Sequence, residues 1–210
     1  MKCLKALYPG IRKILLKIYQ STLYSYLMLH IIPYIRFTLY YTSFKGWKYH
    51  RGYKILQPGD FILSTDKWKL TSLLIPGEWS HASLCVSKDK EFEVAEMTHT
   101  NFTKSTFFDI CKESTRVAIY RCDDWDTDYI QNVIKTCLSF ENTEYDVSFE
   151  YGVKALYCSE LVISSDPEKR LNYNDEDLMN IGRPYISPTG LSKSTNSTKM
   201  WDSNNERKEN

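Results

Sequence analysis

The chain changes its hydrophobic rhythm several times, and each change marks a predicted element. After the turn signal Gln57-Pro58-Gly59-Asp60 comes a short apolar run, Phe61-Ile62-Leu63-Ser64, that reads as a strand. A second turn, Pro76-Gly77, precedes Trp79-Ser80-His81-Ala82-Ser83-Leu84-Cys85-Val86, where Ala82, Leu84 and Val86 alternate with His81, Ser83 and Cys85. That period of two predicts a half-buried strand. The polar stretch 87–90 closes a hairpin to a strand at Phe92–Met97, and a fourth strand is predicted at Thr115–Arg121. The period then lengthens. Ile130, Val133, Ile134, Cys137 and Leu138 share one face of a helix that Asp126 caps, and Cys137 on that stripe reads as a core residue. A loop rich in Tyr and acid runs from Tyr145 to Tyr151, and Tyr157-Cys158-Ser159-Glu160-Leu161-Val162-Ile163 opens a second short helix. From Ser187 onward Ser, Thr, Asn, Lys and Glu dominate, which predicts a disordered tail over 187–210. Strands first and helices later argue an α+β fold.

Between Lys17 and Arg36 lie 18 residues without a formal charge, IYQSTLYSYLMLHIIPYI. Their length just reaches the minimum for a bilayer span, but Gln20, Ser21, Thr22, Ser25, His30 and Pro33 argue against one. Two readings stand ahead of a span: a helix lying on an anionic membrane surface, and a helical hairpin packed on the body.

Composition sharpens this division. The 210 residues are 42% hydrophobic and 25% charged, with formal net charge +1, which suits one globular domain and excludes collagen-like, coiled-coil and wholly disordered chains. Residues 1–59 carry ten Lys and Arg and no carboxylate; the remainder carries 17 basic and 26 acidic residues. Residues 1–54 therefore read as a basic, Tyr-rich helical segment and 55–186 as the main domain. The cations with interleaved Tyr would suit phosphate contacts, but the apolar run points to membrane or core, and no nucleic-acid partner is expected. Six cysteines at irregular spacing, without a CxxC pair or a secretory signal, predict reduced thiols in a cytoplasmic body. No phosphate-cradling glycine loop or metal-ligand spacing appears, and no metal or cofactor is expected.

Two positions carry candidate chemistry. Cys158 opens a helix, where the macrodipole and free N–H groups favour thiolate and could hold an oxyanion. His81 starts a strand. Together they suit a nucleophile–base pair for acyl transfer, for which a third group must orient the imidazole. Glu93 and Glu96, across the predicted hairpin, both qualify by proximity, and strand alternation puts them on opposite faces without choosing between them.

GDFIL at 59–63, WSHASLCV at 79–86, VAEMTHTNF at 94–102 and YCSELV at 157–162, in that order, resemble the permuted papain-like amidases of the YaeF/YiiX kind, relatives of NlpC-type peptidases and lecithin:retinol acyltransferase-like enzymes. The resemblance covers about 55–190. It implies a circularly permuted papain-like core, an antiparallel sheet packed against helices, to which this chain adds its N-terminal helical segment. It implies Cys158 as nucleophile, His81 as base and Glu96, 15 positions after His81, as the orienting carboxylate. Met97 and Asn101-Phe102 depart from the family's usual Ala and Gly-Val, changes that bear on substrate preference. Asp60, Trp79, Ser80, Tyr145 and Tyr157 are the expected substrate contacts, with Tyr145–Phe149 lining the cleft. The implied reaction is hydrolysis of an amino-acid or peptide amide, including cell-wall peptides. The alternatives are lipid acyl transfer or thioester cleavage at a membrane, or a silent membrane-tethered interaction module.

Overall fold

A computed structural model describes residues 9–38, 44–75, 77–88, 90–150, 155–177 and 184–205. Cys3 and the turn residues Pro76, Asp89 and Tyr151 lie outside them.

In chain order the elements are helices α1 (Pro9–Tyr19) and α2 (Thr22–His30), a 3-10 turn (Ile32–Tyr34), α3 (Gly46–Ile55), β1 (Phe61–Thr65), α4 (Leu70–Leu74), β2 (His81–Cys85), β3 (Val94–Thr98), β4 (Asn101–Ser105), α5 (Phe107–Lys112), β5 (Arg116–Cys122), α6 (Thr127–Leu138), β6 (Glu144–Tyr145), β7 (Ala155–Leu156), α7 (Cys158–Ser164), β8 (Glu176–Asp177), β9 (Pro184–Tyr185), α8 (Pro188–Leu191) and β10 (Ser197–Asp202). Six strands form one antiparallel sheet in the order β10-β5-β1-β2-β3-β4.

Alternation along the strands loads both faces of this sheet. Phe61, Leu63, Ala82, Leu84, Ala95 and Met97 pack with Tyr129, Val133 and Cys137 of α6 and Leu161 and Val162 of α7. Ile62, Cys85, Val94, Val117 and Ile119 pack with Phe107, Ile110 and Cys111 of α5 and with Trp201. Asp126 caps α6, accepting from the Tyr129 backbone N–H at 2.8 Å. Gly59 turns the chain into β1 with φ +91°, and a Cβ there would stand 2.9 Å from Ile130 Cγ1, so the position demands glycine twice over.

One expectation about the chain's ends is corrected. The tail is not disordered over its described part. α8 is capped by Ser187, and β10 is a sheet strand whose Trp201, Asp202 and Ser203 are buried. The reason is non-local: Trp201 fills the gap beside Phe107, Asp202 pairs with Arg116, and Ser203 accepts from the Val117 N–H. The last helix of the front segment also reaches the core. α3 lies on the sheet, with Tyr49 and Tyr53 against Phe107 and Gly52 against Trp201, so this helix belongs to the core.

The uncharged run 18–35 is not one helix. It breaks after Tyr19, where Ser21 caps α2 by accepting from Tyr24 N–H at 3.2 Å. Among the described residues no helix is long and apolar enough to cross a membrane. Tyr19, with Leu15, Leu16 and Tyr24 beside it, packs on Phe149, Tyr157 and Tyr185 of the body.

Candidate active site

The site forms where three elements meet at one end of the sheet. β2 begins at His81, β3 runs beside it, and α7 opens at Cys158. Antiparallel pairing places Ser83 opposite Glu96, so the Glu96 carboxylate reaches back along its neighbour to the ring of His81. Glu96 Oε2 lies 2.6 Å from His81 Nε2, and its Oε1 accepts a hydrogen bond from the Ser105 hydroxyl. An imidazole has two nitrogens. With Nε2 committed to Glu96, Nδ1 remains for the hydrogen bond between the His81 ring and Cys158. The Cys158 sulfur also receives the backbone N–H groups of Ala82 and Ser159.

These contacts set the charges. Burial works against a cationic His81, yet the hydrogen bonds to Cys158 and Glu96 overcome it and push its pKa up to about 10. Burial also works against the anions. The His81 ring, hydrogen-bonded to each, nevertheless holds both Cys158 and Glu96 below their ordinary values. The group is therefore poised as thiolate, imidazolium and carboxylate. The four other described thiols go the opposite way: burial pushes Cys85 up to about 12 and Cys122 and Cys137 up to about 11, and it raises Cys111 as well. Among the described cysteines, only Cys158, hydrogen-bonded to the His81 ring, is held low.

Glu93, the other candidate carboxylate, stands ahead of β3 and is engaged elsewhere. It accepts from the Tyr53 hydroxyl at 2.9 Å and the Phe107 backbone N–H at 2.9 Å. The structure thus separates the two glutamates that proximity alone could not.

A cavity of about 360 Å³ opens beside this group, lined by His81, Glu96, Tyr145 and Phe149 and by hydroxyls that include Ser80 and Ser105. Cys158 is 2% exposed and does not line it; its neighbours His81 and Tyr145 do. Burial and the nearby Cys158 and Asp146 charges raise Tyr145 well above its ordinary pKa, which keeps its O–H protonated beside the sulfur. Asp146 shapes the loop that follows. Its carboxylate accepts from Ser148 N–H at 2.8 Å and Glu150 N–H at 2.6 Å, and Phe149 takes a left-handed backbone (φ 55°) with its ring 5.2 Å from that of Tyr157.

Of the expected substrate contacts, Ser80 and Tyr145 face the cavity and three do not. Asp60 is buried at the start of β1 in a fork-to-fork pair with Arg121, at 2.7 and 2.8 Å, because a carboxylate removed from water needs that partner. Trp79 is fully buried in the core under the Arg116 guanidinium. Tyr157 precedes α7 with its ring inside the fold and its hydroxyl accepting from Ile186 N–H at 3.0 Å. Sequence reasoning missed Ser105, Met28 and Pro33. Weak alternation in Asn101-Phe102-Thr103-Lys104-Ser105 was the one available sign of β4, which brings Ser105 to Glu96.

Comparisons with known proteins place the chain in a family. The sequence profile of the permuted papain-like amidases YaeF/YiiX, family C92, matches residues 55–208. The chain belongs to that family. A crystal structure titled metalloprotein YiiX, from Escherichia coli O157:H7, has the same fold: TM-score 0.59 at 15% identity, covering 70% of this chain and 97% of that one. No curated protein matches. That title names a metalloprotein. Among the described residues here, no group of three or more His, Cys, Asp or Glu is placed to hold an ion.

Proposed function

We propose that this permuted papain-like amidase is a cysteine hydrolase. Cys158 attacks the carbonyl carbon of an amide or ester; the C–O π pair moves onto oxygen, towards which the protonated Tyr145 hydroxyl can donate. His81 gives its proton to the leaving amine or alcohol as the C–N or C–O bond breaks, leaving an acyl-thioester. Water, deprotonated by His81, then releases the acid and the thiol. Glu96 positions the ring and supports its cationic form. The observation that carries this reading is the Glu96–His81 contact at 2.6 Å on a ring whose other partner is the buried Cys158. The substrate class is an amino-acid or peptide amide.

Alkylation tests it. At neutral pH iodoacetamide should label Cys158 ahead of the other cysteines, and His81→Ala should remove that preference. Equal labelling of all thiols in the parent protein sinks the reading.

We further propose that α1 attaches the protein to an anionic bilayer. Ile14 (58% exposed) and Ile18 (47%) stand one turn apart on its outer side, next to exposed Lys13 and Lys17, in a front segment without a carboxylate. Phosphatidylserine vesicles should float the parent protein. Lys13→Glu with Lys17→Glu should weaken that by roughly tenfold or more, at about 1 kcal/mol per cation. Equal recovery of both proteins in the soluble fraction removes the proposal.

A further inference from the structure

The cavity has a wall that lies outside the residues of the family match. Met28 of α2 and Pro33 of the 3-10 turn line it together with His81 and Tyr145, yet both precede residue 55, where the family match begins. The segment that carries them is fastened at both ends. At one end Tyr19 and Tyr24, 4.8 Å apart between ring centres, pack on Phe149 and Tyr157, next to Cys158. At the other, Arg36 Nη2 meets Asp66 Oδ2 at 2.6 Å, Phe37 N–H donates to Trp68 O at 2.9 Å, and Leu70 N–H donates to Ile35 O at 3.0 Å. Between them the Tyr34 hydroxyl lies 3.1 Å from His99 Nε2. Asp66 and His99, which hold this strap, themselves line the cavity.

We propose that residues 19–37 are the specificity wall of the active site, and that Met28 and Pro33, with Phe149, select an acyl group carrying an apolar body of medium size. Three observations fix the class. The strap's own contributions to the lining are apolar. The hydroxyls of Ser80, Thr98 and Ser105, with the charged Asp66, Lys69, Asp109 and Glu113, supply the polar side, where a carbonyl and its amide or ester partner can be held. The volume, about 360 Å³, lies at the low end of the small-molecule range of roughly 300–1,000 Å³, enough for a side chain or short alkyl chain and too small for a folded peptide. The cavity thus favours compact N-acyl or aminoacyl compounds over a long chain of residues.

This inference rests on the cysteine-hydrolase reading, and the experiment separates the two. Cys158 is alkylated with iodoacetamide and with N-benzyl-iodoacetamide, which differ by one apolar group, and the ratio of the two rates is taken for the parent, Met28→Trp and Met28→Ala. Hydrolysis of p-nitrophenyl acetate and p-nitrophenyl hexanoate gives the same ratio from turnover. Filling the wall with Trp should lower the large-to-small ratio by roughly tenfold, the scale of a lost apolar contact in a pocket, and Ala should raise it. Pro33→Ala, a milder change, should move it in the direction of Met28→Ala. Ratios that stay at the parent value in all three variants overturn the wall while leaving Cys158 reactivity intact. A parent Cys158 that alkylates no faster than the other thiols overturns the hydrolase reading, and the wall with it.

Discussion

His81 ties the chemistry to stability through its two partners. Its folded pKa of about 10 stands above its ordinary 6.5, so its contribution is complete below about 6.5 and is lost as the pH rises towards 10. Glu96 is held below its ordinary 4.5, so its contribution is complete above that value and is lost as the pH falls through its lower, folded one. Glu96→Gln keeps the shape and removes the charge. The stability difference between parent and Glu96→Gln, from urea denaturation, should therefore be greatest between about pH 5 and 6.5 and shrink towards pH 10. A difference that grows with alkaline pH contradicts the pairing. In turnover the same variant should lose roughly two to four orders of magnitude in kcat, the range of an impaired acid–base partner.

At the scale of elements, β10 and α3 decide whether the second face of the sheet is covered. Trp201 is 4% exposed and meets Phe107 and Phe44 on that face. Trp201→Ala should cost about 3–5 kcal/mol by urea or thermal denaturation, as for other buried aromatics, whereas a disordered tail would give no change. Gly52 permits α3 to approach: an added Cβ would sit 3.0 Å from two atoms of the Trp201 ring and 3.1 Å from Phe107. Gly52→Ala should destabilise by about 1–3 kcal/mol through overpacking, despite alanine's better helix propensity. These two elements were not legible because their burial depends on partners more than 50 residues away. Thr198, Lys199 and Met200 look like tail residues, and only pairing with β5 makes them a strand. The strands β1, β2 and β5 and the helix α6 were legible, since each carries its own period and turn or cap.

For the whole molecule, the near-zero net charge conceals an uneven distribution with a physical consequence. If the carboxylate-free front segment attaches to an anionic surface as proposed, long-range attraction contributes, and salt screens it. Raising NaCl from about 0.1 to 1 M shortens the Debye length from about 10 to 3 Å. Vesicle flotation should fall steeply over that range if Lys13 and Lys17 drive it, and stay level if only Ile14 and Ile18 do. The same segment, which precedes the residues of the family match, has an inner side that reaches the cavity. One stretch of chain thus faces the solvent with Lys13 and Lys17 and the cavity with Met28 and Pro33.

The sequence by itself determined the order and type of the central strands, the helix capped by Asp126, and the residues His81 and Cys158, because local period, turn chemistry and motif order are all written within a few positions of each other. The resemblance named Glu96, and the geometry brings Glu96, not Glu93, to the ring. Only the tertiary structure decided which expected contacts are walls of the cavity and which are core. A buried carboxylate such as Asp60 goes to whichever cation the fold brings within reach, and Arg121 lies 61 positions along the chain. It also decided that the front segment folds back onto the site. Arg36 meeting Asp66, and Tyr19 meeting Phe149, are contacts between segments whose own patterns specify no partner, so only closure of the whole chain could select them.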